Sequence, residues 1–269
     1  MNTTRCGEGE GGGVGRERLY RTEAVVLRRS DFGEADRLLT LYTPEWGKLR
    51  VIARGVRKPT SRKSGHLELF THSRLLVARG RNLDIVTQAE TIHSFRSLRE
   101  DLVRTGWAYY AAELLDRFVG ESVENRPLFN LFLATLGWLC EDVDLDLTAR
   151  FYELRLLALV GYRPQLFHCL ACRAEVEAGT TPFFSPASGG LLCPRCGEGQ
   201  KEAKKISMPA LKVLRFMQTN SYELCRRLRI GRPLQAELEE TMRRYITYTL
   251  ERNLKSVEFL QRLQREMNG

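Results

Sequence analysis

Two pairs of cysteines have the residue types and the spacing of a metal site. Cys169-Leu-Ala-Cys172 is followed, after twenty residues, by Cys193-Pro-Arg-Cys196. Each pair can point two thiolates at one ion from a tight turn, and two pairs complete the tetrahedral shell of a structural zinc site. Because four thiolates leave no open coordination position, we interpret the single zinc ion as structural and not catalytic. The alternatives are four reduced cysteines, two disulfides, or a shell in which the neighbouring His168 competes as a ligand.

A cluster of positive charges is the second feature that predicts a function. Residues 47–67 contain no acidic residue, and their cations are Lys48, Arg50, Arg54, Arg57, Lys58, Arg62 and Lys63. This patch is extended, if the strands close into a barrel, by Arg28, Arg29, Arg79 and Arg81. The net charge of +9 and the sequence pI of about 9.3 suit a polyanion, nucleic acid first and an anionic membrane second. We therefore predict that these residues bind nucleic acid; the alternative is a solvated loop.

Aromatic residues decide whether such a surface holds bases as well as phosphates. The candidates in the first third of the chain are Phe32, Tyr42, Trp46 and Phe70. Packing in a core is the favoured role for each of them. Trp46 follows the proline of a turn and precedes Lys48, so we expect it to be the exposed one.

A second cationic group occurs late in the chain among apolar residues. Its members are Arg226, Arg227, Arg229 and Arg232, interleaved with Leu224, Leu228 and Ile230. Arginines at the rim of an apolar groove could capture the acidic and hydrophobic tail of a protein partner. The alternative is an ordinary charged helix end.

Short β-branched segments with turns between them must position the first cationic patch. Strands are predicted over residues 23–28, 38–43, 48–54, 66–79 and 83–91, and the fourth is expected to be bent or bulged because of its length. In the third strand, alternation places Leu49, Val51 and Ala53 on one face and their neighbours on the other. Five such strands indicate a small closed barrel, and an OB-fold is the natural candidate.

Apolar residues recur at intervals of three and four from residue 98, which predicts helices. The predicted helices span residues 98–118, 128–139, 147–160, 208–217, 234–254 and 257–267, with Asp146 as the N-cap of the third. We thus expect an α+β multidomain chain: a flexible glycine-rich tail (1–18), an OB-fold DNA-binding domain (19–96), a helical bundle (97–164 and 205–269) and a zinc-binding insert (165–204). Without a secretory signal or an apolar run long enough to span a bilayer, we expect a cytoplasmic, nucleoid-associated chain. There, Cys6, Cys140 and Cys225 stay reduced.

Several stretches resemble the bacterial RecO family of recombination mediators. Residues 22–43 read TEAVVLRRSDFGEADRLLTLYT, and residues 47–58 read GKLRVIARGVRK. FYELRLL at 151–157, GYRP at 161–164 and the two cysteine pairs also match this family in type and order. The resemblance covers the chain from about Tyr20 onward and leaves the glycine-rich tail without a counterpart.

The resemblance implies a non-enzymatic role in homologous recombination and gap repair. RecO-like proteins bind single- and double-stranded DNA, anneal complementary strands, and work with RecR to load RecA onto strands coated by single-strand-binding protein. The acidic tail of that coating protein is the partner implied for the second cationic group. Two other readings are a zinc-dependent nucleic-acid-processing enzyme and a zinc-ribbon scaffold that binds only protein. A deaminase needs an open zinc position and an H-x-E element close to its zinc ligands. The one such element, His66-Leu-Glu68, is about a hundred residues from the cysteines, so we interpret it as a chance match.

Overall fold

The fold was obtained as a computed structural model, which describes residues 18–121, 123–176 and 179–251, together with residues 256, 259, 260, 262, 263 and 266. The glycine-rich tail up to residue 17, with Cys6, lies outside the described residues. The described residues of the last predicted helix are helical. None of the helices in the described part of the chain is both long and apolar enough to cross a membrane.

Five strands form a closed barrel at the N-terminal end. They are β1 (Leu19–Phe32), β2 (Asp36–Thr43), β3 (Gly47–Ala53), β4 (His72–Ala78) and β5 (Asp84–His93). Their order around the barrel is β1-β2-β3-β5-β4. Every pairing is antiparallel except β3–β5, which is parallel and has only two registered pairs, Val51 with Asp84 and Ile52 with Ile85. The predicted OB-fold is confirmed.

Alternation along β3 is also as predicted, because its odd-numbered side chains point into the barrel. Val51 and Ala53 are fully buried and Arg50 is exposed. Val26, Leu39 and Val77 pack with them in the barrel core. Burial of these β-branched and aliphatic side chains stabilises the barrel and leaves its outer face to the cations.

The barrel differs from the prediction in its first and fourth strands. β1 is longer than expected, because its first half pairs with β4 and its second half with β2. A register shift between Val26 and Arg28 lets one strand bend to serve both partners. The fourth segment, predicted as a bent or bulged strand over 66–79, is fully interrupted, because a 3₁₀ turn, Ser64–Leu67, precedes β4. The break has a physical cause, since Leu67 and Phe70 both turn into the interior.

The helical part begins directly after β5. Its helices are α1 (Ser97–Glu100), α2 (Leu102–Phe118), α3 (Arg126–Glu141), α4 (Leu145–Leu159), α5 (Pro194–Gly197), α6 (Met208–Thr219), α7 (Tyr222–Cys225) and α8 (Arg232–Leu250). The N-cap predicted at Asp146 is wrong by two residues. Asp144 holds that position and accepts a 2.9 Å hydrogen bond from the backbone N–H of Leu147. Asp146 instead lies inside the first turn, where an acid is also favourable.

Barrel and helices share one apolar core. Val25, Leu27, Tyr42 and Phe70 of the barrel belong to the cluster that fills the helical part. The Tyr42 ring lies 6.1 Å from that of Phe129 on α3. The β2–β3 turn also approaches the helical part closely, because Gly47 has φ of +58° and a Cβ there would lie 2.2 Å from the backbone oxygen of Val123. The barrel is therefore fixed against the helices.

Between α4 and α6 the chain forms a small module. Strands β6 (Phe183–Ser185), β7 (Gly190–Leu192) and β8 (Lys204–Lys205) make a three-stranded sheet in the order β7-β6-β8. Phe184 and Leu191 belong to the shared core, so the module is packed on the helices. Close approach requires Gly197, where a Cβ would lie 2.5 Å from the Phe183 ring.

Candidate metal centre and candidate nucleic-acid interface

The four cysteines predicted as ligands converge on one point. Their Sγ atoms all lie within 4.8 Å of one another, and the Sγ atoms of Cys172 and Cys193 are 3.7 Å apart. A tetrahedral ion with metal–sulfur bonds of about 2.3 Å places its ligands about 3.8 Å apart, so this spacing fits one ion. No disulfide joins them: Cys169, Cys172, Cys193 and Cys196 all carry free thiols.

Tight turns aim these thiols. The backbone N–H of Arg173 donates to the carbonyl of Cys169 at 2.8 Å, and Arg173 has φ of +61°, which reverses the chain after the first pair. Within the second pair, the short helix α5 begins at Pro194, directly after Cys193, and the Cys196 N–H donates to the Cys193 carbonyl at 3.1 Å. Each pair is thereby a compact knuckle that presents two sulfur atoms. His168 is exposed and does not belong to the ligand cluster.

The chemistry of this donor set is that of a closed structural site. Four soft thiolates occupy every position of a tetrahedron, so the ion would have no place for water or substrate. Cys169 is buried, and the other three sulfurs lie nearer the surface. The cluster can therefore lock the two knuckles together but does not provide an open metal for catalysis.

The predicted cationic patch lies on the outer face of the barrel. A groove of about 380 Å³ runs across β1, β2 and β3, and its cationic lining comes from Arg28, Arg29, Lys48 and Arg50. Asp116 and Glu121, from the helical part, close one side of it. The structure thus brings together four of the predicted residues from two strands that are twenty residues apart in the sequence.

Internal acids already bind several of these cations. Arg28 donates a 2.6 Å hydrogen bond to Asp116, and Lys48 lies 3.1 Å from the same carboxylate. Arg29 is paired with Glu68, which also accepts from Arg37 at 3.2 Å. The positive potential of the groove is therefore reduced by carboxylates that local sequence does not place there.

A further set of predicted cations is exposed. In the described ranges, none of the following side chains belongs to an ion pair: Arg50, Arg54, Lys58, Arg62 and Arg81. Two others are held, since Arg57 lies 3.4 Å from Asp31 and the Lys63 ammonium donates to the carbonyl of Val86 at 3.0 Å. Burial lowers the pKa of Lys63. Lys63 consequently contributes less positive charge to the outer surface than the exposed Arg62 does.

The cationic loop that follows β3, residues 54–63, folds onto the barrel as a series of turns. The backbone N–H of Arg57 donates to the carbonyl of Ala35 at 2.9 Å, and that of Ser61 donates to the carbonyl of Lys58 at 2.9 Å. Val56 is buried in the barrel core and anchors the loop. Arg54, Lys58 and Arg62 are thus presented from a defined backbone.

The aromatic candidates divide into two groups. Tyr42 and Phe70 are fully buried and serve the core, which is the role favoured for both. Trp46 and Phe32 keep 37% and 49% of their surface exposed. The expected exposure of Trp46 is confirmed, whereas Phe32 differs from the core role favoured for it because it sits at the β1–β2 turn.

Three members of the late cationic group line a groove of about 650 Å³. Arg226, Arg227 and Arg229 contribute to it, together with Val143, which is 95% exposed. Acids also line it, namely Asp142, Asp144 and Glu223, and Asp142 is paired with Arg226. Arg232 does not line this groove and instead begins α8. The groove combines an apolar wall with the guanidinium groups of Arg227 and Arg229, neither of which has an ion-pair partner among the residues that the structure describes.

The functional residue that sequence reasoning missed is Asp116. It lies 88 residues after Arg28, on a helix whose acids look like an ordinary solvated face. Only the docking of α2 against the barrel brings it to the groove. Neither the local charge pattern nor the spacing of residues could have signalled this contact.

Comparison with known proteins identifies the family. The family model for the N terminal region of recombination protein O matches residues 18–95, and the model for its C terminal region matches residues 99–258. A DNA repair protein RecO of Roseiflexus sp. (strain RS-1) is 50% identical over 245 residues, which are 91% of this chain and 86% of the relative. Similar proteins of the same name occur in Dehalococcoides mccartyi (strain ATCC BAA-2100 / JCM 16839 / KCTC 5957 / BAV1), at 39% identity over 91% of this chain and 96% of the relative, and in Pelotomaculum thermopropionicum, at 40% over 91% and 94%. The chain therefore belongs to the RecO family of DNA repair proteins.

Proposed function

We propose that this chain is a recombination mediator that binds single- and double-stranded DNA and anneals complementary strands. The observation that carries the proposal is the groove across β1, β2 and β3, flanked by exposed cations of the neighbouring loop. Annealing requires no catalytic side chain, because a cationic surface lowers the repulsion between two strands and raises their local concentration. Family membership supports the prediction that the chain is not an enzyme.

Zinc is the metal that we propose for the cysteine cluster. Four thiolates at tetrahedral spacing are the usual structural ligands of this ion, and metal binding in such modules is coupled to folding. Cys169, Cys172, Cys193 and Cys196 would hold one ion, which supplies a cross-link between the two knuckles. The ion would thus support the helical part and take no part in chemistry on DNA.

Protein partners are the finer part of the proposal. The groove formed by Val143, Arg227 and Arg229 has the chemistry to hold an acidic, partly apolar peptide, such as the tail of single-strand-binding protein. With such a contact, and with RecR, the chain would promote RecA loading on strands coated by that protein. These activities would place it at the nucleoid in the cytoplasm.

Charge removal at the barrel face tests the DNA-binding function. The triple variant Arg50→Ala, Arg54→Ala, Arg62→Ala removes three exposed cations that have no ion-pair partner in the described residues. Each phosphate contact on a single strand contributes about −0.7 to the slope of log affinity against log salt. We therefore expect weaker binding at low salt and a slope about two units shallower, measured by fluorescence anisotropy at several salt concentrations.

A matched control removes the same charge elsewhere. The variant Lys201→Ala, Lys205→Ala, Lys212→Ala removes three exposed lysines of the module and α6. It should retain most of the affinity and nearly the whole salt slope. Equal losses in both variants would contradict the placement of the DNA on the barrel, and no binding by the unaltered chain at low salt would exclude DNA as its partner.

A further inference from the structure

Two aromatic rings and a guanidinium form an exposed cluster at one end of the barrel, outside the cationic groove. The rings of Tyr20 and Trp46 have centroids 5.4 Å apart and are tilted by 55°. The Arg79 guanidinium lies 5.0 Å from the centroid of Tyr20 and 5.2 Å from that of Trp46. These three residues, which we call the aromatic platform, come from β1, the β2–β3 turn and the end of β4.

The platform is held in place and remains partly exposed. The Tyr20 hydroxyl donates a 2.7 Å hydrogen bond to Asp84, which fixes that ring against the barrel. The backbone N–H of Trp46 donates to the Thr43 hydroxyl at 3.0 Å, which fixes the turn. Trp46 nevertheless keeps 37% of its surface exposed while it contacts both neighbours. An indole that is held rigidly and left partly in water is suited to contact another flat group.

Charge around the platform selects the kind of flat group. Two cations of the groove, Lys48 and Arg50, come two and four residues after Trp46. At about 3.3 Å per residue along a strand, the groove therefore begins within about 7 Å of Trp46. Arg81 is exposed in the turn that follows Arg79. An acid is also close, but Glu45 is occupied by Arg126 at 2.6 Å and by the Thr22 hydroxyl at 2.9 Å. A flat group that carries phosphates on both sides satisfies this pattern.

We infer that the aromatic platform is a base-stacking site, at which Trp46 stacks on a nucleobase of single-stranded DNA while the neighbouring cations hold its phosphates. This inference rests on the proposed DNA-binding function and adds to it a contact with the bases. Stacking on an aromatic ring is tolerant of sequence, because every base has a π-face. It also favours single strands, since the bases of a duplex are already stacked on one another.

The test uses two labelled strands of equal length, oligo(dT) and an abasic sugar–phosphate strand. The unaltered full chain should bind oligo(dT) at least about fivefold more tightly than the abasic strand. Trp46→Ala should remove most of that preference, while its affinity for the abasic strand and its salt slope stay unchanged, because no cation is lost. Trp46→Phe should restore part of the preference.

Phe32 provides the matched control, since it is an exposed aromatic residue at the opposite turn of β1. Phe32→Ala should keep the preference for oligo(dT). Loss of the preference in this variant instead of in Trp46→Ala would overturn the assignment. Equal weakening of both strands by Trp46→Ala, accompanied by a lower melting temperature, would also overturn it, because the ring would then serve only the fold.

Intrinsic fluorescence gives a second readout. Of the three tryptophans, Trp107 is buried and Trp138 is stacked on Tyr222 with centroids 3.8 Å apart. Oligo(dT) should therefore quench the emission of the unaltered chain and leave that of Trp46→Phe nearly unchanged. Equal affinity of the unaltered chain for oligo(dT) and for the abasic strand would refute the stacking inference but not the DNA-binding function. If neither strand binds at low salt, the stacking inference and the DNA-binding function are both refuted.

Discussion

Asp116 on α2 accepts a 2.6 Å hydrogen bond from Arg28 on β1, so a carboxylate of the helical part occupies the cationic groove of the barrel. Lys48 binds the same carboxylate and also donates to the Asp116 backbone carbonyl at 3.1 Å. Two cations that a phosphate could bind are thus satisfied internally. DNA that enters this groove must compete with Asp116 for both of them.

Asp116→Asn should therefore strengthen DNA binding. The substitution keeps the shape of the side chain but removes the charge that neutralises Arg28 and Lys48. A surface charge contact of roughly 1 kcal/mol corresponds to about fivefold tighter binding at low salt, with a steeper salt slope. Anisotropy titrations with a labelled single strand at several salt concentrations measure both quantities.

Glu240→Gln is the control for this variant. It removes the same charge and also breaks ion pairs, those with Lys204 and Arg243, but Glu240 lies on α8 and does not line the groove. Its effect on affinity should be small. If both variants tighten binding equally, the cause is the net charge of the chain, and competition by Asp116 is refuted.

Removal of one ligand should release the metal. In Cys169→Ser the shell loses its buried thiolate, and we expect less than one zinc ion per chain and a clearly lower melting temperature, because metal binding in such sites is coupled to folding. Metal analysis by mass spectrometry and thermal unfolding test this. Cys140→Ser, a change at a half-buried cysteine of α3, should leave the zinc content unchanged. Full zinc content and an unaltered melt in Cys169→Ser would count against the assignment.

The late groove should bind an acidic peptide with an apolar end. The double variant Arg227→Ala, Arg229→Ala removes two guanidinium groups beside the exposed Val143, and we expect about tenfold weaker binding of such a peptide. Calorimetric titration measures it. Arg232→Ala is the matched change outside the groove and should bind normally. Peptide affinity that falls only in Arg232→Ala would assign the contact to the start of α8.

A buried carboxyl group predicts how stability depends on pH. Glu153 on α4 is completely buried, and burial raises its pKa to about 7, although Arg150 at 2.6 Å and a hydrogen bond from the Tyr110 hydroxyl favour the carboxylate. Repulsion by the carboxylates of Glu239 and Asp146 also raises the pKa of Glu153, to a smaller extent than burial does. One carboxylate oxygen of Glu153 has no hydrogen-bond partner among the described residues, which is consistent with a group that costs free energy when ionised.

The sign of the effect follows from the raised pKa. The unfolded chain ionises this group near pH 4.5 and the folded chain near 7, so the folded state binds the proton more tightly. The free energy of unfolding should therefore fall as the pH rises from about 4.5 to about 7, by at most about 3 kcal/mol from this group. Urea unfolding of Glu153→Gln across that range should lack this fall. The same slope in the variant would place the titrating group elsewhere.

The sequence predicts the parts of this molecule that depend on local pattern. Cysteine spacing locates the metal cluster because two turns bring the four sulfur atoms together with little help from the rest of the chain. Alternation in β3 correctly separates Arg50 from Val51, since a strand with one buried face enforces that period. These features use contacts between near neighbours, which a linear pattern records.

Features that depend on docking are not predictable in this way. Asp116 meets Arg28 only because α2 packs on β1, and the pairing of Lys63 with the Val86 carbonyl depends on how the loop closes over β5. The N-cap of α4 is Asp144 and not Asp146 because either aspartate could serve as a cap, and the packing of α4 selects the register. Long-range packing therefore decides which predicted cations remain available.

The barrel is closed by its shortest ladder. β3 and β5 share two registered pairs, whereas β2 and β3 share an unbroken run from Arg37–Ala53 to Thr43–Gly47. If thermal fluctuation opens the barrel, the seam between β3 and β5 should separate first. The other strand pairings should stay intact, which leaves an open, curved sheet of five strands. Amide protons at the seam would then exchange with deuterated solvent sooner than those of the β2–β3 ladder. The parting edge includes Ile52, two residues beyond Arg50, so bound DNA should slow that exchange.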